Sequence, residues 1–241
     1  MEATNVAVIF AGGIGARMNS RAIPKQFLEI HGKPVIIHTL EHFDAHPDID
    51  GIAIAILAGY RDDLAGLLKR YGIGKARWIV AGGETGQQSR HNALKAAAQD
   101  CPEDTIVLIH DGVRPLINAE LISANIESVI MYGSGITCTK ANETVVSSGD
   151  YHIDAVIPRD HVYTAQAPQS FRLGEILSLY DQAVAEGEHD TIDSCSLMHR
   201  YGRKLHRVDG PRSNIKITTA QDFYLCRTFF EVIENQQVVG F

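Results

Sequence analysis

The chain alternates short apolar runs with amphipathic stretches, which is the pattern of strands and helices taken in turn. Val6 to Phe10 is a continuous apolar run that reads as a buried strand. Pro34 to Phe43 reads as a helix with Val35, Leu40 and Phe43 as core contacts. Ile52 to Leu57 predicts a second strand. Arg61 to Tyr71 places Leu64, Leu67, Leu68 and Tyr71 on one helical face. Trp78 to Val80 predicts a third strand, Gln87 to Ala98 a helix, Thr105 to Ile109 a fourth strand and Leu116 to Met131 a helix. Ile136 to Thr139 returns to strand.

From Ala141 to Gln166 the rhythm breaks. A β-rich stretch around Ser147-Ser148-Gly149-Asp150 predicts a hairpin projecting from the body. Helices over Leu173 to Ala185 and Thr191 to Tyr201, a strand over Lys204 to Val208 and a helix over Thr219 to Ile233 complete the chain. The alternation predicts one α/β domain over residues 1–241, with a Rossmann-like, mainly parallel sheet flanked by helices. The β-arm, at about 141–166, is an arrangement suited to dimerisation.

Composition narrows the partners. The 241 residues suffice for one substantial core, and a formal net charge of −7 gives nonspecific nucleic-acid binding little support. Any anion site must be a local concentration of cations. Cys101, Cys138, Cys195 and Cys226 lie far apart with no C-x-x-C, so neither a zinc site nor a disulfide framework is expected. No run approaches a membrane span. Glu2 stands where a signal peptide would carry positive charge, so the expected location is cytoplasmic.

Candidate chemistry starts at Ala11-Gly12-Gly13-Ile14-Gly15-Ala16-Arg17-Met18. Glycines at a strand end let backbone amides approach an anion, and Arg17 and Lys25 add two cations suited to phosphate. No Lys-Ser or Lys-Thr follows, which excludes a P-loop. Gly13-x-Gly15 begins a dinucleotide fingerprint, but Met18 occupies the position of its third small residue. Gly82-Gly83-Glu84 with Ser89-Arg90, and His110-Asp111-Gly112-Val113-Arg114-Pro115, also follow strands, where α/β sheets bind ligands. Asp111 reads either as a magnesium-binding carboxylate or as a turn and cap residue. Arg114 is expected to anchor its loop through an ion pair. Lys216, in the β-like run Asn214 to Thr219, should point opposite to Ile215 and Ile217.

Other signals are weaker. His38, His42 and His46 share a spacing that a helix could turn into metal ligation, but nothing completes the site, and a surface or rim role is expected. His110 beside Asp111 hints at a metal-dependent hydrolase without a supporting His-rich motif. Ser194-Cys195-Ser196 lacks the frame of a nucleophile elbow.

Taken together, these motifs resemble the cytidylyltransferases of sugar-alcohol phosphates. Pro24-Lys25-Gln26-Phe27, Ala165-Gln166-Ala167-Pro168-Gln169-Ser170-Phe171 and Asn214-Ile215-Lys216-Ile217-Thr218-Thr219 extend the resemblance over nearly the whole chain. It implies transfer of CMP from CTP to a polyol phosphate, with pyrophosphate released and Mg²⁺ as cofactor. Arg17, Lys25 and Lys216 match the catalytic cations, and Asp111 matches the magnesium-associated aspartate. Ala11, Gly12, Gly13, Gly15, Gly82, Glu84, Ser89 and Asp111 match nucleotide-binding positions. Thr144 and Arg159 match arm positions that bind the substrate phosphate in the partner subunit, which implies a homodimer with composite sites.

Within the family, five residues between Met18 and Pro24, Gly112-Val113, Ile157-Pro158 before Arg159, and Tyr163 point to ribitol 5-phosphate or a related polyol phosphate as acceptor. Methylerythritol 4-phosphate is the alternative. Ala167 departs from the Thr usual in both branches and removes a hydroxyl near the substrate phosphate. Outside the family, an NAD(P)-dependent oxidoreductase and an inactive nucleotide-binding module are the competing classes.

Overall fold

The computed structural model describes residues 5–12 and 23–239, with side chains to residue 235. Gly13, Gly15 and Arg17 lie outside the described residues. In chain order the first half comprises β1 (Asn5–Ala11), β2 (Glu29–Ile30), β3 (Lys33–Pro34), α1 (Val35–Ala45), β4 (Gly51–Ile56), α2 (Arg61–Tyr71), β5 (Ala76–Ala81), α3 (Gly86–Ala97) and β6 (Ile106–Asp111). Then come α4 (Ala119–Tyr132), β7 (Ser134–Lys140), β8 (Val145–Ser148), β9 (Ile153–Ile157), β10 (Tyr163–Arg172), α5 (Leu173–Ala185), α6 (Ser194–Arg200), β11 (Arg207–Asp209) and α7 (Ala220–Val239).

Seven strands form the main sheet in the order β11-β7-β10-β6-β1-β4-β5. All run parallel except β10, which pairs antiparallel with both β6 and β7. β1 lies between β4 and β6, in register Phe10 with Asp111, so both its edges are paired, and helices cover both its faces. Its side chains alternate accordingly. Ala7, Ile9 and Ala11 join the core beneath α1, α2 and α4, whereas Val6 and Val8 join the core beneath α3, α5 and α6. A third, smaller cluster seats α7 through Cys226 against Ile30, Val35, Val113 and Ile217.

Helix ends follow local chemistry. The helices predicted from Leu116 and Thr191 begin later, at Ala119 and Ser194, because the Asn118 and Asp193 side chains accept the first orphan amides from Leu121 and Ser196. α2 and α4 end on Gly72 and Gly133, both with positive φ. α7 starts with a reciprocal cap: Thr219 Oγ1 accepts from the Asp222 amide while Asp222 accepts from the Thr219 amide.

Two expectations need correction. The predicted β excursion runs to Gln166, but the hairpin is β8–β9, and β10 already begins at Tyr163 as an inner strand of the sheet. Its Gln166, Gln169 and Ser170 are buried polar residues, and Pro168 sits in its middle after a cis peptide bond, so apolar patterning does not reveal it. Residues 214–218 are not a strand. They form an irregular segment held by the Ile217 amide donating to Val113 and by Arg114 donating to the Asn214 carbonyl. No described helix is long and apolar enough to cross a membrane.

Candidate active site

The carboxyl ends of β1, β5 and β6 open onto a cleft, as expected of a parallel sheet. Its floor is made by close backbone approach. A Cβ on Gly12 would lie 2.6 Å from Ser89 Oγ, and one on Gly82 would lie 3.1 Å from Gly12 Cα. A side chain at Gly12 would displace Ser89, and one at Gly82 would crowd the Gly12 backbone. Ser89 Oγ donates to the Thr85 carbonyl and accepts from the Gly83 amide, which fixes the loop after β5 against the first turn of α3. Thr85 caps that helix through Gln88, and the Glu84 amide donates to the Gln88 side chain. On the opposite wall, buried Gln26 donates to the Ala11 carbonyl at 2.7 Å and anchors the 3-10 turn Lys25–Phe27. This first chamber, of about 420 Å³, brings together Ala11, Gly12, Lys25, Ser89, Asp111 and Lys216.

A second chamber of about 180 Å³ adjoins it. Arg90, Gln166, Ala167 and Asp193 line it together with Asp111 and Lys216. Phe10, Asp111 and Lys216 belong to both chambers and form a common wall.

The charge centre of that wall is the buried Asp111. Its Oδ1 is 2.5 Å from Lys216 Nζ and its Oδ2 is 2.7 Å from Arg114 Nε. Burial alone would raise its pKa, but Lys216 first and Arg114 next outweigh burial and hold the carboxyl well below the usual range. Arg114 anchors its loop as expected. Lys216 reaches the carboxylate while Ile217 is buried on the other side. His110 is buried behind this group, edge-on to Phe43 at 5.2 Å, with Nε2 donating to the Arg114 carbonyl. Burial, partly opposed by Asp111, lowers its pKa to about 3, so it is a neutral buttress.

The other expected residues divide. Glu84 and Gly82 stand at the loop of the first chamber. Thr144 and Arg159 lie at the base of the hairpin, with Arg159 donating to the Asn142 carbonyl, and neither lines either of these two chambers. His46 is buried rather than at a surface or rim: its Nε2 sits 3.0 Å from Ser123 Oγ. Among the described residues no group of three or more His, Cys, Asp or Glu side chains could hold a metal alone.

Sequence reasoning passed over Phe10, Gln26 and Asp193 as site residues, and noted Arg90 after Ser89 without giving it a role. Gln26 lay inside a motif already noted, whereas Arg90 carries no local signal beyond its place one residue after Ser89.

Comparison with known proteins decides the family. The model of the 2-C-methyl-D-erythritol 4-phosphate cytidylyltransferase family matches residues 5–231. The chain belongs to this cytidylyltransferase family. A ribitol-5-phosphate cytidylyltransferase of Streptococcus agalactiae serotype Ia is 48% identical over 237 residues, covering 98% of this chain and 99% of the relative. A 2-C-methyl-D-erythritol 4-phosphate cytidylyltransferase of Geotalea uraniireducens is 36% identical over 236 residues, covering 96% and 98%. The crystal structure of 4-diphosphocytidyl-2C-methyl-D-erythritol synthase from Anaerococcus prevotii superposes with a TM-score of 0.82 at 31% identity, covering 95% of this chain and 96% of that one. The protein is thus a CTP-using nucleotidyltransferase, and the cytidylyltransferase family accounts for the glycine spacing that otherwise suggests hydride transfer.

Proposed function

We propose that this protein transfers CMP from CTP to ribitol 5-phosphate, giving CDP-ribitol and pyrophosphate. The observation that carries this reading is the common wall of the two chambers, where Lys216 and Asp111 meet both volumes. The similarity to the ribitol-5-phosphate enzyme of Streptococcus agalactiae supports the choice of acceptor.

In this reading CTP occupies the larger chamber. Ala11, Gly12, Gly82, Glu84 and Ser89 surround base and ribose. An oxygen of the acceptor's phosphate attacks the α-phosphorus, the bond from that phosphorus to the bridging oxygen breaks, and pyrophosphate leaves. A phosphate monoester is already a competent nucleophile near neutral pH, so no general base is required. The work is positioning two anions and neutralising charge, which falls to Arg17, Lys25 and Lys216.

Mg²⁺ fits the donor set. It is commonly held by one or two carboxylates together with substrate phosphates, and Asp111 is a buried carboxylate on the chamber wall whose pKa is held low by Lys216 and Arg114. When bound, the ion would neutralise triphosphate charge. Asp111 would hold it, with Lys216 shared between carboxylate and α-phosphate.

The hairpin suits a homodimer. Val146, Ile153, Val156 and Ile157 are exposed on it, and β8 and β9 pair only with each other among the described residues. Thr144 and Arg159 would then reach the acceptor's phosphate in the partner subunit. With CTP as donor, the cytoplasm is the fitting location.

The deciding experiment measures pyrophosphate release with CTP and Mg²⁺, offering ribitol 5-phosphate and methylerythritol 4-phosphate in parallel. Preference for ribitol 5-phosphate supports the proposal. Preference for methylerythritol 4-phosphate, favoured by the Geotalea relative, replaces the acceptor but keeps the reaction.

A further inference from the structure

Arg90 is buried, with 3% of its surface exposed, yet among the described residues it forms no ion pair with a carboxylate. Its guanidinium is fixed by neutral partners only. Nε donates to the Tyr180 hydroxyl at 2.8 Å, one terminal nitrogen donates to the Thr191 carbonyl at 2.9 Å, and the group lies 5.3 Å from the centre of the Phe10 ring. Tyr180 is held in turn by Ser194, so the fork is oriented from behind. The remaining terminal nitrogen makes no hydrogen bond with a described residue.

Burying a cation without a counter-charge is costly, and a protein that does so on a cavity wall has left the counter-charge to a ligand. Arg90 lines the second chamber and not the first. Lys216 lies 5.7 Å from the centre of the same Phe10 ring, so the two cations flank one aromatic group at the junction of the chambers. Arg114 and Lys216 are already committed to Asp111. Of the three cations that line the second chamber, Arg90 alone has no carboxylate partner among the described residues.

We propose that Arg90 binds the phosphate monoester of the acceptor and is a determinant of acceptor recognition supplied by this chain itself. The inference rests on the assignment of the second chamber to a polyol phosphate. A planar fork with free donors suits phosphate oxygens, and its place beyond Phe10 from the nucleotide chamber makes it selective for the acceptor over CTP.

The test is steady-state kinetics of the full-length enzyme, varying CTP and the acceptor separately. Arg90→Met should raise the acceptor KM by about 10- to 100-fold while the CTP KM stays within about twofold. Arg90→Lys keeps the charge but loses the fork, and should raise the acceptor KM several-fold at wild-type thermal stability. Should Arg90→Met fail to fold, Arg90→Lys decides. Tyr180→Phe removes the Nε partner but leaves the guanidinium, and should raise the acceptor KM well short of the Arg90→Met effect. Equal changes in both KM values, an unchanged acceptor KM in Arg90→Lys, or a Tyr180→Phe variant that reproduces Arg90→Met would each show a structural role and overturn the inference. A wild-type enzyme that releases no pyrophosphate with any polyol phosphate would instead overturn the functional reading beneath it.

Discussion

Lys216 Nζ lies 2.5 Å from Oδ1 of Asp111, which ties the irregular segment before α7 to the carboxyl end of β6. The pair closes the site from two remote parts of the chain. Because Arg114 holds the other carboxylate oxygen, Lys216 can be removed without stranding the buried charge. Lys216→Met should therefore remain folded and lose about 10²- to 10³-fold in kcat, the scale for deleting one preorganised electrostatic contact. Pyrophosphate release checks it. Near-wild-type turnover would remove Lys216 from the chemistry.

Asp111→Asn should affect stability as well as activity. It leaves Arg114 buried without its anion, a change of about 3 kcal/mol or more. In the native protein the Asp111 carboxyl is held below its ordinary value of 3.8. Its contribution is therefore complete above that value and is lost as pH falls from there towards the lower folded-state value. Urea unfolding at pH 7 and at pH 3 should show a smaller acid loss for Asp111→Asn than for wild type.

His110 acts in a different window. Its folded pKa of about 3 lies below the ordinary 6.5, so the unfolded chain takes up a proton that the native chain refuses. Stability should fall as pH drops from 6.5 towards 3, with a slope of about one proton from this residue, or roughly 1.4 kcal/mol per pH unit. His110→Gln should flatten that slope by about one proton in urea titrations across this range.

How much of this was legible in advance differs by element. α2 and α5 begin and end where their apolar periodicity places them, because each buries one plain stripe. β10 was hidden because its inner positions are satisfied by side chains rather than by apolar packing. Gln169 donates to Asp193, Ser170 donates to Asn125, and Asn214 donates to the Ala167 carbonyl. A polar residue with a remote partner looks, in sequence, like a loop residue. The alternation around Lys216 suggested a strand for the opposite reason: Ile217 packs into a core and Lys216 meets Asp111 without any ladder. Arg90 shows the same limit, since its environment is built by Tyr180 and Thr191, far along the chain.

Gly12→Ala tests the close approach beneath the nucleotide chamber. The added methyl would sit 2.6 Å from Ser89 Oγ, so the variant should lose about 1–3 kcal/mol. Ser89→Ala in the same chain removes the clashing oxygen and should restore much of that stability, measured by thermal unfolding. Activity should stay low, because the Ser89 contacts that hold the Gly83 and Thr85 loop are gone.

Composite sites predict complementation. Arg159→Ala and Lys216→Met should each be impaired alone. Mixed and allowed to exchange subunits, they should recover up to about a quarter of wild-type activity, because each mixed dimer carries one intact site. Failure to recover activity despite demonstrated exchange would put Arg159 outside the partner's site.

β10 runs from Tyr163 at the foot of the hairpin to Arg172 at the start of α5, and its pairing with β7 shifts register between Ala165 and Gln169, where Gln166 and Ala167 wall the smaller chamber. Anything that seats the hairpin thus acts on one end of a strand whose irregular middle shapes the smaller chamber. In the proposed dimer, assembly would then tune which acceptors fit, and a subunit on its own would be a less discriminating catalyst.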